Sequence, residues 1–597
     1  MRKNIDAIYW MVRLLQGFMI AGFANLSFDL SMGPCVLFND NVVQDTSHYL
    51  LGFCIVLLGA MPCAIAFGDS RAMVVFAAIC SLVSLYNFCG LAYAGTVVVM
   101  RDFWNGATLR HIIDKYSLSL PISGIVIALL CVAMVICSRL VDRMLKERKR
   151  PRRRQRMMFC AVDVAVLSFV LALSSGIGSN EDIWSWEEYY YTHGMVMGMI
   201  GNIAHGNAKA IMPEGYGQEE IALCAPIEAK VEEYPDIVFI LDETYYDLGH
   251  LANIETDADY MKNYRRLSCF KGFAAVPVVG GGTNTSEYEL LTENSLSLLR
   301  TYSPYNNIPL SNAWSIVRYL KNLGYATMGA HPEMSANYHR GMAWQELGFD
   351  DARFAQDFVD LAYDAQRPRA TDHSVFESFK RFYEEMPEDK PRFAFLITIQ
   401  NHGPYDNPGE DRVHAIGEGR SSQVNEYLTS VQLTDSFIPE VTAYFNQSKR
   451  NVVVCLVGDH APAFVNMYHE KGDSYLKERQ VPYLIWSNAS DTLSLDLKSD
   501  IDLCALGAYA LHAGGLPLSS YQSSLIALSQ YAQCFTNVSI PKGKTFGDVL
   551  GYIDENGDVH DANEETKAGN LLRNYLYAEY SLLKGKPSQA WVIKKDR

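Results

Sequence analysis

Five long apolar stretches lie within the first 175 residues and constrain the fold more than any other feature. A helix needs about 20 residues to cross the hydrocarbon core of a membrane. Arg13 and Gln16 interrupt the first stretch, and the basic start at Arg2 and Lys3 leaves a cleaved signal peptide as an alternative. Because no small-residue cleavage site is evident and four more stretches follow, we interpret the first stretch as a retained span. The five predicted spans are Ala7–Phe28, Tyr49–Phe67, Met73–Ala94, Leu120–Cys137 and Met157–Leu173.

Positive charge is concentrated between the fourth and fifth predicted spans. Residues 139–156 include ten Lys or Arg among eighteen positions. Short basic loops stay in the cytoplasm, so we expect a cytoplasmic N-terminus and an extracytoplasmic position for everything after residue 175. That remainder carries 34 Lys or Arg against 57 Asp or Glu, in a chain whose net charge is −16. This acidity argues against a general nucleic-acid binder.

A linker is predicted to follow the membrane domain. Trp184, Trp186 and Tyr189–Tyr191 form an aromatic cluster, and such rings favour the boundary between membrane and water. The apolar segment Gly194–Gly206 is too short to span a membrane. We therefore predict an amphipathic helix lying in the interface, with a buried core helix as the alternative.

The rest of the chain alternates between strand-like and helix-like patterns, which is typical of an α/β domain with helices on both faces of a sheet. Apolar runs at Asp236–Leu241, Phe393–Thr398 and Asn451–Val457 predict buried parallel strands. Segments Leu310–Leu323 and Ser421–Phe445 predict helices. The cysteines after residue 175 form no CxxC motif, so neither a zinc knuckle nor a disulfide framework is indicated. The predicted domains are a five-span membrane domain (1–175), the linker (176–221), an extracytoplasmic α/β domain (222–540) and a C-terminal extension (541–597).

Polar residues directly follow the three predicted strands. Ligands bind at the carboxyl ends of the strands in open α/β sheets, and carboxylates and imidazoles gathered there can hold one metal ion. Any single Asp or His of this kind is better explained as a cap or a surface group. Three such strand ends in one domain nevertheless predict a metal site. The residues are Asp242 and Glu243, then Gln400, Asn401 and His402, then Gly458, Asp459 and His460.

A glycine triplet precedes a further helical pattern. Gly280–Gly282 leads into Thr283, and the segment from Ser286 onward has the apolar spacing of a helix. A hydroxyl at a helix N-terminus lies where backbone N–H groups can hold a phosphate, and coordination to a metal can activate it as a nucleophile. The alternative is that Thr283 or Thr285 only caps the helix.

Together these motifs resemble the lipoteichoic acid synthase family, which comprises phosphoglycerol transferases of the sulfatase/alkaline phosphatase superfamily. The resemblance covers nearly the whole chain, because five spans, a linker helix and an outward catalytic domain occur in the same order. The Thr-x-x-Ser-Glu run leading into Leu-Leu-x-Glu-Asn-Ser is specific, whereas GDH alone would be weak. The matching motifs are DETYYD, GGGTNTSEYELLTENSL, HPEMSANYHRGMAWQELGFDD, QNHGPY and GDHAP.

The resemblance implies a set of site residues and partners. Thr283 would be the nucleophile, and one manganese or magnesium ion would be the cofactor. The donor would be phosphatidylglycerol and the acceptor a glycolipid or a growing glycerophosphate chain, at a bacterial cell membrane. Arg340 suits a phosphate because its planar fork donates two parallel hydrogen bonds. The implied metal ligands are Glu243, Thr283, Asp459 and His460, and the implied phosphoglycerol pocket is His331, Arg340 and His402.

Two positions depart from the family pattern. Asp242-Glu243-Thr244 stands where Leu-Glu-Ser is usual, so Asp242 has no assigned role. Pro332 follows His331 where the family has Gly, which puts the polar lining at Glu333 and the identity of the head group in question.

Five alternative functions are compatible with parts of the sequence. A sulfatase needs C/S-x-P-x-R, and the nearest match, Cys224-Ala-Pro-Ile-Glu, lacks the Arg. A phosphoethanolamine transferase or a phosphodiesterase would keep the fold and the covalent intermediate. A catalytically inactive membrane sensor is disfavoured because all four implied ligand positions are filled. An ATP-driven enzyme is disfavoured because Val538 stands where the first Gly of a P-loop ending at Gly543-Lys544-Thr545 should be.

Overall fold

The computed structural model divides the chain into two compact units. The first, which we call the helical unit, comprises Met1–Asn207 with two short pieces, Asn306–Ile308 and Ser335–Met342. The second, the α/β unit, comprises Ala208–Tyr305, Pro309–Met334 and Ala343–Arg597. The structure describes residues 2–32, 46–65, 70–89, 97, 122–146, 152–174, 186–205, 210–251, 254–299, 304–311, 313–363, 369–406, 412–416, 421–468, 474–489, 495–536, 538 and 550–585.

All five predicted spans correspond to helices that are long and apolar enough to cross a membrane. The last residues of the third predicted span, 90–94, and the start of the fourth, 120–121, lie outside the described residues. So do residues 147–151 of the basic loop and the candidate P-loop residues 543–545. The helices are α1 (Arg2–Ser31), α2 (Thr46–Ile65), α3 (Arg71–Cys89), α4 (Ile122–Leu145) and α5 (Arg153–Ser174).

The polar residues that interrupt the first span are buried and partnered. The Arg13 side chain is 1% exposed, and its guanidinium donates to Asp142 Oδ1 on α4 at 2.8 Å and to Gln16 Oε1 at 2.6 Å. Ser70, just before α3, accepts from Arg13 and from Gln16, and its backbone N–H donates to Asp142 Oδ2 at 2.8 Å. A cation inside an apolar helix bundle is costly unless it is paired. This network therefore explains why α1 continues through Arg13.

We expect Asp142→Ala to lower the free energy of unfolding by about 3 kcal/mol, because it leaves the buried Arg13 guanidinium without its carboxylate. Thermal unfolding of the full chain in detergent measures this loss. The control is Lys498→Ala, which removes one partner of the exposed pair Lys498–Glu555; such a pair contributes at most about 1 kcal/mol. Equal melting temperatures for the two variants would contradict the structural importance of the buried pair.

Two helices occupy the predicted linker. Helix α6 (Trp186–His193) and helix α7 (Met195–His205) are separated by Gly194, whose φ of +81° lies in the left-handed region that favours glycine. Met195 is buried among apolar side chains of the helical unit, whereas Ile203 is 54% exposed. One face of α7 is thus packed and the other carries an exposed apolar group. Trp184 and the rest of residues 175–185 lie outside the described residues.

An eight-stranded sheet forms the centre of the α/β unit. The strand order is β10-β3-β9-β8-β1-β6-β4-β5. Strand β9 runs antiparallel to both of its neighbours, and the remaining pairs are parallel. The strands of this sheet are β1 (Asp236–Asp242), β3 (Phe270–Ala275), β4 (Ala326–Ala330), β5 (Asp351–Arg353), β6 (Arg392–Ile397), β8 (Val452–Gly458), β9 (Gln480–Ser487) and β10 (Ile501–Asp502), and the two small sheets pair β2 (Glu255–Thr256) with β7 (Ala415–Ile416) and β11 (Gly551–Ile553) with β12 (Val559–Asp561).

The three strands predicted from apolar runs are the parallel trio at the middle of this sheet. Strand β1 pairs with β6, Leu241 opposite Ile397, and with β8, Asp242 opposite Gly458. Every residue of these three strands is buried. A strand covered on both faces needs apolar side chains on both, which is why continuous apolar runs identified them. The parallel register brings their carboxyl ends to one edge.

Two helices of the α/β unit were predicted with both limits, and one of them differs from the prediction at its start. The helix predicted over Leu310–Leu323 begins only at Ile316, because Ser315 adopts an extended backbone and its side chain accepts the N–H of Arg318 as an N-cap. The helix predicted over Ser421–Phe445 is confirmed. The helices are α8 (Leu248–Leu251), α9 (Lys262–Arg266), α10 (Thr283–Thr292), α11 (Pro304–Asn307, partly in the helical unit), α12 (Ile316–Asn322), α13 (Arg340–Leu347), α14 (Asp372–Glu385), α15 (Ser422–Phe445), α16 (Ser474–Arg479), α17 (Leu503–Ala513), α18 (Ser520–Ser529) and α19 (Lys567–Leu583).

Candidate metal centre and nucleophile

The end of β1 presents Glu243 to the carboxyl edge of the sheet. Its backbone N–H donates to Thr398 Oγ1 at 3.0 Å, and its Oε1 accepts from the Thr244 hydroxyl at 2.7 Å. Thr244 has a φ of +49°, so the chain turns sharply directly after Glu243. The Glu243 backbone is therefore tied to the end of β6, and its carboxylate is held by the neighbouring Thr244 hydroxyl.

The end of β8 places Asp459 and His460 beside Glu243. His460 Nε2 lies 3.3 Å from Asp459 Oδ2 and 3.7 Å from Glu243 Oε1. Asp459 Oδ1 accepts the backbone N–H of Thr244 at 2.7 Å, and the Asp459 N–H donates to the carbonyl of Asp242 at 3.1 Å. Pairing between β1 and β8 thus sets the spacing of the three side chains.

These three side chains fit a divalent cation. One donor atom from each lies within 4.8 Å of the other two, and all three residues are buried. Asp459 Oδ2 accepts no hydrogen bond from the described residues and faces the His460 imidazole. Burial and the Glu243 carboxylate raise the pKa of Asp459 to about 6, while His460 and the Thr283 hydroxyl lower it. Carboxylate oxygens suit manganese or magnesium, an imidazole nitrogen suits zinc, and the concentrated negative charge favours a divalent cation there.

Three successive glycines bring Thr283 to this cluster. Gly280, Gly281 and Gly282 all have positive φ values, and a Cβ on Gly280 would lie 2.8 Å from the Ala463 Cα. Only glycine accepts both the conformation and the close approach at Gly280. The Gly280 N–H donates to the carbonyl of Ala461, two residues after Asp459. The segment is thereby tied to the strand end that carries the cluster.

Thr283 is the first residue of α10, and no side-chain hydroxyl caps this helix. The N-cap is Gly282, without a side-chain cap hydrogen bond. Thr285 donates its hydroxyl to the Gly282 carbonyl at 2.6 Å, and Ser286 donates to the Asp459 carbonyl at 2.6 Å. The capping alternative is therefore wrong for both threonines. Thr283 remains as the hydroxyl beside the Asp459 carboxylate.

The implied pocket residues occupy three different settings. His331 directly follows β4, is 4% exposed, and has Nδ1 3.3 Å from the Ile397 carbonyl at the end of β6. His402 is exposed, with Nδ1 2.7 Å from the Gly403 carbonyl. Arg340, at the start of α13, falls in the segment that groups with the helical unit; it is 1% exposed and packs over the Tyr338 ring.

The third strand end does not supply a ligand to the cluster. Gln400 accepts the N–H of Asp372 at 2.9 Å, and Asn401 bonds Thr434 and Ser430 on α15. Among the described residues, the metal-ligating group at this edge draws only on the ends of β1 and β8. The end of β6 thus contributes no His, Cys, Asp or Glu side chain to this group, and its Gln400 and Asn401 instead anchor α14 and α15.

Sequence reasoning missed several residues that support the cluster. Thr398, just past β6, also donates to Asp242 Oδ1 at 3.0 Å. Asp242 itself is fully buried, and burial together with nearby Asp372 raises its pKa well above the usual range. Arg369 reaches His402 Nδ1 at 3.2 Å and so adds a positive charge beside an implied pocket residue. No local pattern marks Arg369, because its relation to His402 depends on the fold.

Part of the chain matches a known protein family. Residues 235–492 match the family model "Sulfatase". Residues 235–492 are therefore similar to a sulfatase domain, and five helices of membrane-spanning length precede them in the chain.

Curated relatives are distant. A Rhizobium meliloti (strain 1021) protein named for cyclic beta-1,2-glucan modification is 24% identical over 333 residues, which is 51% of this chain and 50% of that protein. "Lipoteichoic acid synthase 2" of Bacillus subtilis (strain 168) is 25% identical over 189 residues, 30% of this chain and 28% of that protein. The chain thus spans about half the length, or less, of these relatives.

A similar solved structure is the Streptococcus pyogenes phosphoglycerol transferase GacH in complex with sn-glycerol-1-phosphate. It is 17% identical, with a TM-score of 0.49, over 60% of this chain and 89% of that chain.

Proposed function

We propose that the protein is a membrane-anchored, metal-dependent phosphoglycerol transferase that works through a phospho-threonine intermediate. The observation that supports it most is the position of the Thr283 hydroxyl, at the first turn of α10 beside the Glu243, Asp459 and His460 cluster. A nucleophile at a helix N-terminus also meets backbone N–H groups that favour a phosphate.

The proposed reaction consists of two successive displacements at phosphorus. Thr283 Oγ forms a bond to the phosphorus of phosphatidylglycerol, the bond to the diacylglycerol oxygen breaks, and diacylglycerol leaves with the proton. An acceptor hydroxyl then forms the new ester bond, and the Thr283 hydroxyl is restored. A bound divalent cation, held by Glu243, Asp459 and His460, would supply charge neutralisation at the phosphate. His331, Arg340 and His402 are proposed to contact the phosphoglycerol group.

Relatives support a carbohydrate-linked acceptor. One is named for lipoteichoic acid synthesis and another for glucan modification. A hydroxyl on a sugar or on a glycerophosphate chain is an acceptor compatible with both names. We therefore propose a glycolipid or growing glycerophosphate chain as acceptor, with manganese or magnesium as the metal.

The test uses purified full-length protein in detergent with manganese and phosphatidylglycerol labelled in the head group. We expect release of diacylglycerol and transfer of labelled glycerophosphate to an added glycolipid. Phosphatidylethanolamine is the matched donor, since it differs only in its head group. Turnover of phosphatidylethanolamine alone would replace phosphoglycerol by phosphoethanolamine transfer, and free glycerol phosphate as the only product in the presence of acceptor would indicate a hydrolase.

The site is proposed to face the outside of the cell, with the N-terminus in the cytoplasm. A cysteine introduced at Gln218 should react with a membrane-impermeant thiol reagent in intact cells, and one at Gln155 should not. Cys224 and Cys269 are only half-buried, and Cys35 lies between the first two predicted spans on the side proposed to be extracytoplasmic, so all three should be replaced by serine in both variants. Labelling of the Gln155 variant would reverse the proposed orientation.

A further inference from the structure

A second group of metal-ligating side chains lies in the core of the α/β unit. Glu289 is on α10, and Asp502 and Cys504 are at the start of α17. One donor atom from each lies within 4.8 Å of the others, and all three residues are fully buried. Glu579, on α19, is also fully buried, and its charge interacts with Asp502 and Cys504. We call these four residues the acidic core cluster.

Hydrogen bonds hold the Asp502 carboxylate in place, whereas carboxylate oxygens of Glu289 and Glu579 lack a donor in hydrogen-bonding geometry. Asp502 accepts the backbone N–H groups of Cys504, Phe535 and Thr536 at 2.8–3.1 Å. Glu289 Oε1 accepts the Leu296 N–H at 2.9 Å, whereas its Oε2 has no partner in hydrogen-bonding geometry. Neither carboxylate oxygen of Glu579 has one either, although the Ser295 N–H and the Tyr575 hydroxyl lie close enough to lower the pKa of this carboxyl. Buried polar atoms of this kind are rarely left unsatisfied.

The cluster also lacks a compensating charge. Among the described residues, no Lys, Arg or His forms an ion pair with Glu289, Asp502 or Glu579. Burial raises the pKa of each of the three carboxyls, and the charge of Asp502 raises the pKa of Glu289 and of Glu579 further, while hydrogen bonds lower the pKa of Asp502. Buried carboxylates need a counter-charge, which is either bound protons or a cation.

We propose that the acidic core cluster binds a structural divalent cation of the zinc type, with Glu289, Asp502 and Cys504 as ligands and Glu579 as a further carboxylate. The donor set decides the metal, because carboxylates combined with a thiolate suit zinc, whereas magnesium and calcium take oxygen ligands. The hydrogen bonds to Asp502 are the outer contacts that orient a ligating carboxylate. Binding would release the Cys504 thiol proton to solvent.

The proposed ion would fix the helix that carries the nucleophile. Glu289 lies six residues after Thr283 on α10, about 9 Å along the helix axis. The cation would join α10 to α17 and α19 without touching substrate. It is therefore a positioning element, distinct from the centre at the strand ends.

The test counts metal on full-length Asp459→Ala protein, in which the strand-end centre has lost a ligand. After purification in zinc and dialysis, we expect one tightly held zinc per chain. Cobalt in place of zinc should give the near-ultraviolet charge-transfer band of a thiolate ligand. Adding Cys504→Ala should remove both the metal and the band. The matched control is Cys455→Ala, since Cys455 is equally buried and lies in β8.

Folded Asp459→Ala protein that holds no zinc, or holds cobalt without a thiolate band, would overturn the proposal and assign protons as the counter-charge. A band that survives Cys504→Ala would overturn it as well. Neither readout depends on transferase activity.

Discussion

Thr283→Ala should abolish the covalent intermediate and with it the release of diacylglycerol. The substitution removes the hydroxyl beside Asp459 but leaves Gly282 as the N-cap of α10. Mass spectrometry of wild-type protein quenched with phosphatidylglycerol and no acceptor should show added glycerophosphate on Thr283. Thr283→Ser, which restores a hydroxyl at the same position, should recover part of the adduct.

Thr285→Ala is the matched control for this experiment. Thr285 is two residues away on the same helix turn, but its hydroxyl donates to the Gly282 carbonyl. Its loss should cost about 1 kcal/mol of stability, the value of one hydrogen bond, and leave the adduct in place. An adduct on Thr285 or Ser286, or diacylglycerol release by Thr283→Ala, would contradict the assignment of the nucleophile.

Asp459→Ala should lower the transfer rate by at least about a hundredfold, equivalent to about 3 kcal/mol of transition-state stabilisation. The carboxylate is fully buried and shares the centre with Glu243 and His460. The fold should persist, because the bonds from the Asp459 N–H to Asp242 and from Ser286 to the Asp459 carbonyl involve backbone atoms. Initial rates, together with metal content and circular dichroism, measure the effect.

Asp435→Ala is the control for this experiment. It distinguishes the loss of a metal ligand from the loss of a buried carboxylate outside the centre. Asp435 is 2% exposed and accepts the N–H groups of Asn263 and Tyr264, so its removal should reduce stability. It should leave the rate per folded molecule and the metal content unchanged. Near-normal turnover by Asp459→Ala, with the wild-type amount of bound metal, would remove Asp459 from the ligand set.

Local patterns were enough to identify the five spans, the three central strands and a few of the helices. The spans and the central strands are continuous apolar runs, since a helix in lipid and a strand covered on both faces each require apolar side chains all round. The glycine triplet before Thr283 was also recognisable in the sequence. In the structure Gly280–Gly282 all adopt positive φ, which explains why glycine occupies these positions. The start of α12 was misplaced, because the Ser315 cap outweighs the apolar spacing from Leu310.

The sequence by itself thus determined the order of the parts: five spans, an α/β domain, and the chemistry at the ends of β1 and β8. Only the tertiary structure decided which polar groups meet. Arg13 pairs with Asp142, which lies 129 positions later in the chain. Parallel pairing of β1 with β8 places Asp459 beside Glu243. The end of β6 anchors helices rather than metal, and Glu289 meets Asp502 in the core. The physical reason is that apolar periodicity is a local property of the chain, whereas the partner of a buried charge is set by packing between distant segments.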